Sequence, residues 1–262
     1  WDVKETNHLL DRYGFTTVDF KEDLHIACFL LHSQATDLDA LVLALHIQLP
    51  ESFHDLSKKQ KSVEAYAEQR MVPVMQVFTE EITKKEKSIL EKLKEDNLME
   101  LYENIEKPLI PILYHMENEG IDIDERTLDE IGQATSLKMK ELSNEIYGYA
   151  DKIFNDDLGL KGGGRKRSTS AEVLEKLRGV HPIIESLLDY RKFSKIMSTY
   201  IEGLKKHIQP DRKIHTTFNQ TMTQTGRLSS SDPNLQNISV RDEEGREIRK
   251  AFVAKEGHVL LS

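Results

Sequence analysis

The chain has 262 residues, enough for one large or two ordinary domains. With 38% hydrophobic and 31% charged residues it fits a helical protein with much solvated surface. One cysteine, Cys28, excludes an internal disulfide framework; no apolar run approaches the roughly 20 residues that span a bilayer, and no secretory signal opens the chain, so a soluble cytoplasmic protein is expected.

The net charge of −9 is unevenly spread. Residues 161–262 hold 19 Lys+Arg against 12 Asp+Glu, and the first 160 hold 17 against 33. Partners respond to the local field and not to the sum, which marks the basic end as the end for an anionic partner such as nucleic acid.

In chain order, residues 1 to 95 are mostly helical in pattern. Ile26–Leu31 and the set Leu38, Leu41, Val42 and Leu45 place apolar residues three and four apart, and the apolar neighbours of Cys28 mark it as an inert core thiol. Residues 50–61 are polar and read as a loop. Val63 to Lys94 reads as a second helical stretch, its Glu/Lys-rich later part a solvated face laced by i,i+4 pairs. Pro108 to Glu119 reads as an amphipathic helix closed by Gly120. A brief extended piece, Ile121–Asp124, follows. Asp124 caps a long helix with Leu128, Ile131, Leu142, Ile146 and Tyr149 on its apolar face.

Lys161–Arg167 is a glycine-rich basic loop. Thr169 and Glu172 form a capping box for the next helix, His181-Pro182 ends it, and Pro182 opens a helix that runs to about His207. Ile214–Phe218 alternates weakly and reads as a strand before a polar loop.

Three constellations carry chemistry. Arg165, Lys166 and Arg167 stand before a helix N-terminus lined by Ser168, Thr169 and Ser170, where free backbone amides suit a phosphate. A flexible loop with incidental charge is the alternative. Lys195, Ser198 and Thr199 lie on a helix face away from the apolar one, and an ordinary helix surface is the alternative there. Tyr200 reads as packing.

The third is Thr223–Asn237, which is dense in hydrogen-bonding side chains and has only Leu228 and Leu235 to anchor it. Gly226 beside Arg227 lets backbone approach a ligand, and Asp232-Pro233 marks a turn. Arg227, Asn234, Gln236 and Asn237 are donors of the kind that read nucleic acid, and the hydroxyls of Thr225, Ser229 and Ser230 suit phosphate or sugar. Minor-groove acceptors are nearly the same for every base pair, so a sequence-blind duplex reader should aim donors there. A polar loop bonded to its own backbone is the other reading.

Thr225-Gly-Arg-Leu-Ser-Ser230, followed by Asp232-Pro-Asn-Leu-Gln-Asn-Ile238 and by Arg241–Phe252, resembles the segment just upstream of the palm in family A DNA polymerases, the bacterial DNA polymerase I type. Ser168–Leu177 and Lys195–Leu204 resemble the thumb of the same family. The resemblance implies a mainly α fold with a minor β component: an α/β, ribonuclease H-like exonuclease remnant (1–95), a helical thumb (96–210) and the start of the palm sheet (211–262).

It further implies DNA-directed DNA polymerase activity in replication and repair. Thumb residues 165–170 and Lys195, Ser198 and Thr199 would grip the primer-template backbone. Arg227 would donate to the minor groove at the primer terminus, Asn234, Gln236 and Asn237 would touch template or terminal pairs, and Arg241 would lie close by.

The implied partners are primer-template DNA, deoxynucleoside triphosphates and the remainder of a monomeric polymerase. The implied cofactor is a pair of Mg²⁺ ions held by palm carboxylates beyond Ser262, so no catalytic residue is expected within the chain. A non-catalytic duplex-binding module ending at Ser262 is the rival expectation. Family members also carry a further segment where Phe154-Asn155 runs straight into Asp156.

The same alignment leaves the exonuclease site degenerate. Thr6 falls where one metal-binding carboxylate is expected. Tyr66 fits the last exonuclease motif while Arg70 takes its carboxylate position, and Asp23 alone cannot hold two metal ions. No metal site and no proofreading are expected.

Overall fold

A computed structural model describes residues 1–35, 37–56, 58, 67–150, 171–239 and 242–260. The chain is mainly α with a minor β component. Among the described residues the strands are short: β1 (Ile121–Asp122), β2 (Lys213–Ile214), β3 (Thr217–Asn219) and β4 (Ser229–Ser231), with β1 antiparallel to β2 and β3 antiparallel to β4. The chain divides into two compact units, Trp1–Glu119 with Thr217–Ser231, and Gly120–Thr216 with Asp232–Ser262.

In the first unit, short acidic side chains start the helices. Asp2, Asp23 and Asp37 cap α1 (Val3–Arg12), α2 (Leu24–Leu31) and α3 (Leu38–Ala44), each accepting a backbone N–H of the first turn. The stretch expected to be only loop, 50–61, contains a single helical turn, α4 (Phe53–Leu56). The Asp39 carboxylate fixes it by accepting the N–H groups of Phe53 and His54, 2.7 Å each.

A π-helical turn, Ala67–Met71, leads into α5 (Val72–Glu95), which buries Val74, Phe78, Ile82, Ile89 and Leu93 on one face. Its outer face carries local ion pairs such as Glu81–Lys84 at 2.7 Å and Lys92–Asp96 at 3.0 Å. Then come α6 (Met99–Leu101), a π turn over Tyr102–Glu106, and α7 (Lys107–Glu119). Cys28 lies at the centre of this core with Leu41, Phe78 and Leu93, and burial pushes its thiol up to about 12.

In the second unit, Gly120 sits at φ +66°, the left-handed conformation that ends α7. Asp124 opens α8 (Glu125–Ala150), accepting the Arg126 N–H at 3.0 Å and the Thr127 hydroxyl at 2.6 Å. After α9 (Ala171–Glu175), His181 caps α10 (Pro182–Lys195), with Pro182 in its first turn as expected. The helix continues through a π turn, Ile196–Ile201, into α11 (Glu202–Lys206). The last helix, α12 (Glu243–Arg249), is capped by Asp242. Leu128, Ile196, Tyr200, Ile201, Leu204, Ile214 and Ile248 form the main core here, and Ile146 and Tyr149 pack against a smaller cluster of Leu174, Ile183 and Ile184.

Candidate nucleic-acid interface

The donor-rich segment begins in the first unit, in the connection between β3 and β4. Gly226 takes φ +71° and donates to Thr223 O at 3.4 Å, while the Thr223 hydroxyl donates to the Arg227 carbonyl. The turn is closed by its own backbone, and Thr225, Gly226 and Arg227 are left exposed. Among the described residues Arg227 has no ion-pair partner. The serines that follow differ from that pattern. Ser229 is half-buried, and Ser230, expected at a duplex surface, is 3% exposed because β4 alternates faces and turns it inward.

The hairpin is held from outside by side chains far away in sequence. Glu117 of α7, 6% exposed, accepts the Phe218 N–H at 2.6 Å and contacts His8 Nε2 at 2.5 Å. It also forms an ion pair with Lys4 of α1, and Lys4 Nζ donates to the Phe218 carbonyl at 2.7 Å. The Gln220 side-chain amide donates to Glu106 O at 3.0 Å and Glu106 Oε2 at 2.8 Å. The sequence reading did not single out these anchors as a group. Lys4 and Glu117 are separated by 113 positions, so no local pattern joins them.

The rest of the segment belongs to the second unit. The Asp232–Pro233 peptide is cis, and Asp232 has φ +54°, so a turn lies where it was expected. A 3₁₀ turn, Leu235–Asn237, is capped by Asn234, whose Oδ1 accepts the Gln236 N–H at 3.1 Å. Three side chains fix its main chain. Thr216 Oγ1 donates to Pro233 O at 2.8 Å, Tyr200 Oη to Asn237 O at 2.5 Å, and Arg249 Nη2 to Ile238 O at 3.3 Å. With the backbone bonded inward, Asn234, Gln236 and Asn237 are exposed.

Lys195, Ser198 and Thr199 are exposed in the same unit, at and within the π turn. Lys195 has no ion-pair partner among the described residues, whereas Lys192 one turn earlier is bound to Glu244 at 2.7 Å. Ser198 donates to its own helix, to Ser194 O at 2.9 Å. Tyr200 is buried, as its packing role required. The residues Arg165, Lys166, Arg167, Ser168, Thr169, Ser170 and Arg241, and the Phe154–Asp156 junction, lie outside the described residues.

The exonuclease positions have structural occupations. Thr6 Oγ1 donates to Asp2 O at 2.5 Å. Arg70 pairs with Glu51, Nε to Oε2 at 2.9 Å, and donates to Asp55 O at 3.0 Å. Asp23, 2% exposed, accepts the N–H of Ile26 at 3.0 Å with one oxygen and that of Val3 at 2.7 Å with the other; burial pushes its carboxyl above the usual range. Tyr66 lies outside the described residues. Among the described residues no group of three or more His, Cys, Asp or Glu is placed to hold a metal ion.

Residues 125–262, more than half of the chain, match DNA polymerase family A. The chain belongs to that family. It is 37% identical to DNA polymerase I of Bacillus subtilis (strain 168), over 87% of this chain and 30% of that protein. It is likewise 37% identical to DNA polymerase I of Bacillus caldotenax, over 100% of this chain and 32% of that protein. This family A chain therefore spans about a third of the length of these curated relatives.

A solved structure of the POL domain of Pol1 from M. smegmatis, in complex with DNA primer-template and dNTP, superposes with a TM-score of 0.76 at 27% identity. The superposition covers 98% of this chain and 45% of that one. No described helix of this family A chain is long and apolar enough to cross a membrane.

Proposed function

We propose that this chain is the duplex-holding part of a DNA-directed DNA polymerase that extends a primer on a template. The observation that carries the reading is Arg227, an exposed cation on a turn whose own carbonyl is already bonded by Thr223, with no acidic partner among the described residues. A guanidinium so placed is available to minor-groove acceptors, which nearly every base pair presents alike. Family membership, the excess of basic residues after 160, and the primer-template seen in the M. smegmatis complex support the same reading.

In this reading Asn234, Gln236 and Asn237 add donors from a rigid 3₁₀ turn. Lys195, with Ser198 and Thr199 beside it, and Arg165, Lys166, Arg167, Ser168, Thr169 and Ser170 meet backbone phosphates, a term that weakens steeply with salt. The family resemblance adds Arg241 to the same set of contacts. Ser230, 3% exposed inside the hairpin, is not part of this contact surface. The two Mg²⁺ ions and the incoming nucleotide would be held by other parts of the polymerase. The exonuclease-like positions do structural work only, since Thr6, Asp23 and Arg70 are each committed to internal bonds.

Arg227→Ala in the polymerase that carries this chain tests the reading. Primer extension should slow strongly and about equally across template sequences. Extension at the unaltered rate would remove Arg227 from the duplex contact and the reading with it.

A further inference from the structure

We propose that Glu117 and Lys4 are positioning residues for Arg227, acting through the main chain of Phe218; this rests on the duplex-contact reading of Arg227. The β3–β4 ribbon has three residues in each strand, and a two-stranded ribbon of that size is marginal by itself. Phe218 is paired with Ser230, yet its N–H goes to Glu117 and its carbonyl to Lys4. Phe218 is therefore a non-hydrogen-bonded position of the ribbon, and its peptide groups point away from β4.

An ammonium from α1 and a carboxylate from α7 stand where a third strand would bond. The two also neutralise each other, which a buried pair must do, with side chains 14% and 6% exposed. His8 also contacts the carboxylate, and Gln220 adds a second tie through Glu106. The turn bearing Arg227 is clamped at its base by these bonds and at its tip by Thr223, so the main chain from which the guanidinium extends is held in one place. Defined placement is what a contact needs if it is to test the shape of a base pair and not merely attract DNA.

The test uses the whole polymerase, with Glu117→Ala, Glu117→Gln and Lys4→Met made alone and on an Arg227→Ala background. Glu117→Ala should lower kcat/KM for primer extension by on the order of tenfold in the native background, and by less than about twofold where Arg227 is already alanine. Glu117→Gln keeps an acceptor for the Phe218 N–H and should restore most of the loss. Hydrogen exchange over residues 217–231 should accelerate in Glu117→Ala and Lys4→Met. If Glu117→Ala does not fold, Lys4→Met, which removes the donor to the Phe218 carbonyl, carries the same comparisons.

An equal loss in both backgrounds, or unchanged exchange over 217–231, overturns the proposal. Unchanged extension by Arg227→Ala alone sinks instead the duplex-contact reading. The exchange data then report whether the clamp exists without it.

Discussion

The Tyr200 hydroxyl donates to the carbonyl oxygen of Asn237 at 2.5 Å, joining the π turn of one helix to the 3₁₀ turn that carries Asn234 and Gln236. Burial pushes this hydroxyl above the ordinary tyrosine range, with the Asp242 carboxylate adding to the effect, so it remains a donor near neutral pH. Tyr200→Phe leaves the ring's packing intact and a part-buried carbonyl without that donor. The expected cost is about 1 kcal/mol of stability, measured by denaturant unfolding. Duplex affinity should fall a few-fold as Asn237 loosens, and an unchanged affinity would separate this bond from DNA binding.

Asp23 distinguishes a capping role from a vestigial metal ligand. Asp23→Ala strips acceptors from two N–H groups in the core of the first unit, those of Val3 and Ile26. Destabilisation of about 2–4 kcal/mol is expected, with no change in degradation of single-stranded DNA in the presence of Mg²⁺. A variant with native stability and altered nuclease activity would contradict the structural assignment.

Gly120 is constrained twice. Its φ of +66° disfavours any side chain, and a Cβ built there would lie 2.7 Å from Cε1 of the His215 ring, which Asp211 holds through a 2.9 Å contact. Gly120→Ala should therefore cost more than the roughly 1 kcal/mol of a simple left-handed position. Thermal unfolding of the pair Gly120→Ala and Gly120→Ala/His215→Ala checks this: the second change should recover part of the loss.

Asp242 offers a pH signature. The Gly245 N–H that it accepts at 2.8 Å, with help from the Ser239 hydroxyl, holds its carboxyl below the ordinary 3.8. A depressed folded value stabilises the native state above the unfolded value. That contribution fades as the pH falls from 3.8 towards the lower folded value. The difference in melting temperature between the native chain and Asp242→Ala should be fully present near neutral pH and shrink below about pH 3.8. A difference that stays constant down to that range would place the effect elsewhere.

The sequence announces best whatever is local. Asp124, Gly120 and Pro182 act within one turn of themselves, and the apolar spacing of Ile184 to Leu204 requires only helix geometry, so caps and long helices were legible. The π turn at 196–201 was not, because the buried residues in and after it, Ile196, Tyr200, Ile201 and Leu204, still fall at the three- and four-residue spacings of an ordinary helix. Ser230 was misread for a related reason. A serine on a two-residue period looks the same whether its face is wet or buried until the partner strand is known.

The bonds around Glu117 were illegible in principle. Its partners Lys4, His8 and Phe218 lie 113, 109 and 101 positions away, and only the folded chain brings them together. Asp23 had the residue type of a metal ligand, and its neighbours in space gave it another task.

The two hydrogen bonds of the Phe218 main chain, N–H to Glu117 and carbonyl from Lys4, also occupy the ribbon's outer edge at that residue. An exposed strand edge is a template on which another chain can add a strand, the first step towards aggregation. At Phe218 the main-chain donor and acceptor are already taken by side chains that no incoming strand can displace without stranding two charges in the interior. The same pair that seats the hairpin makes it a poor seed for self-association.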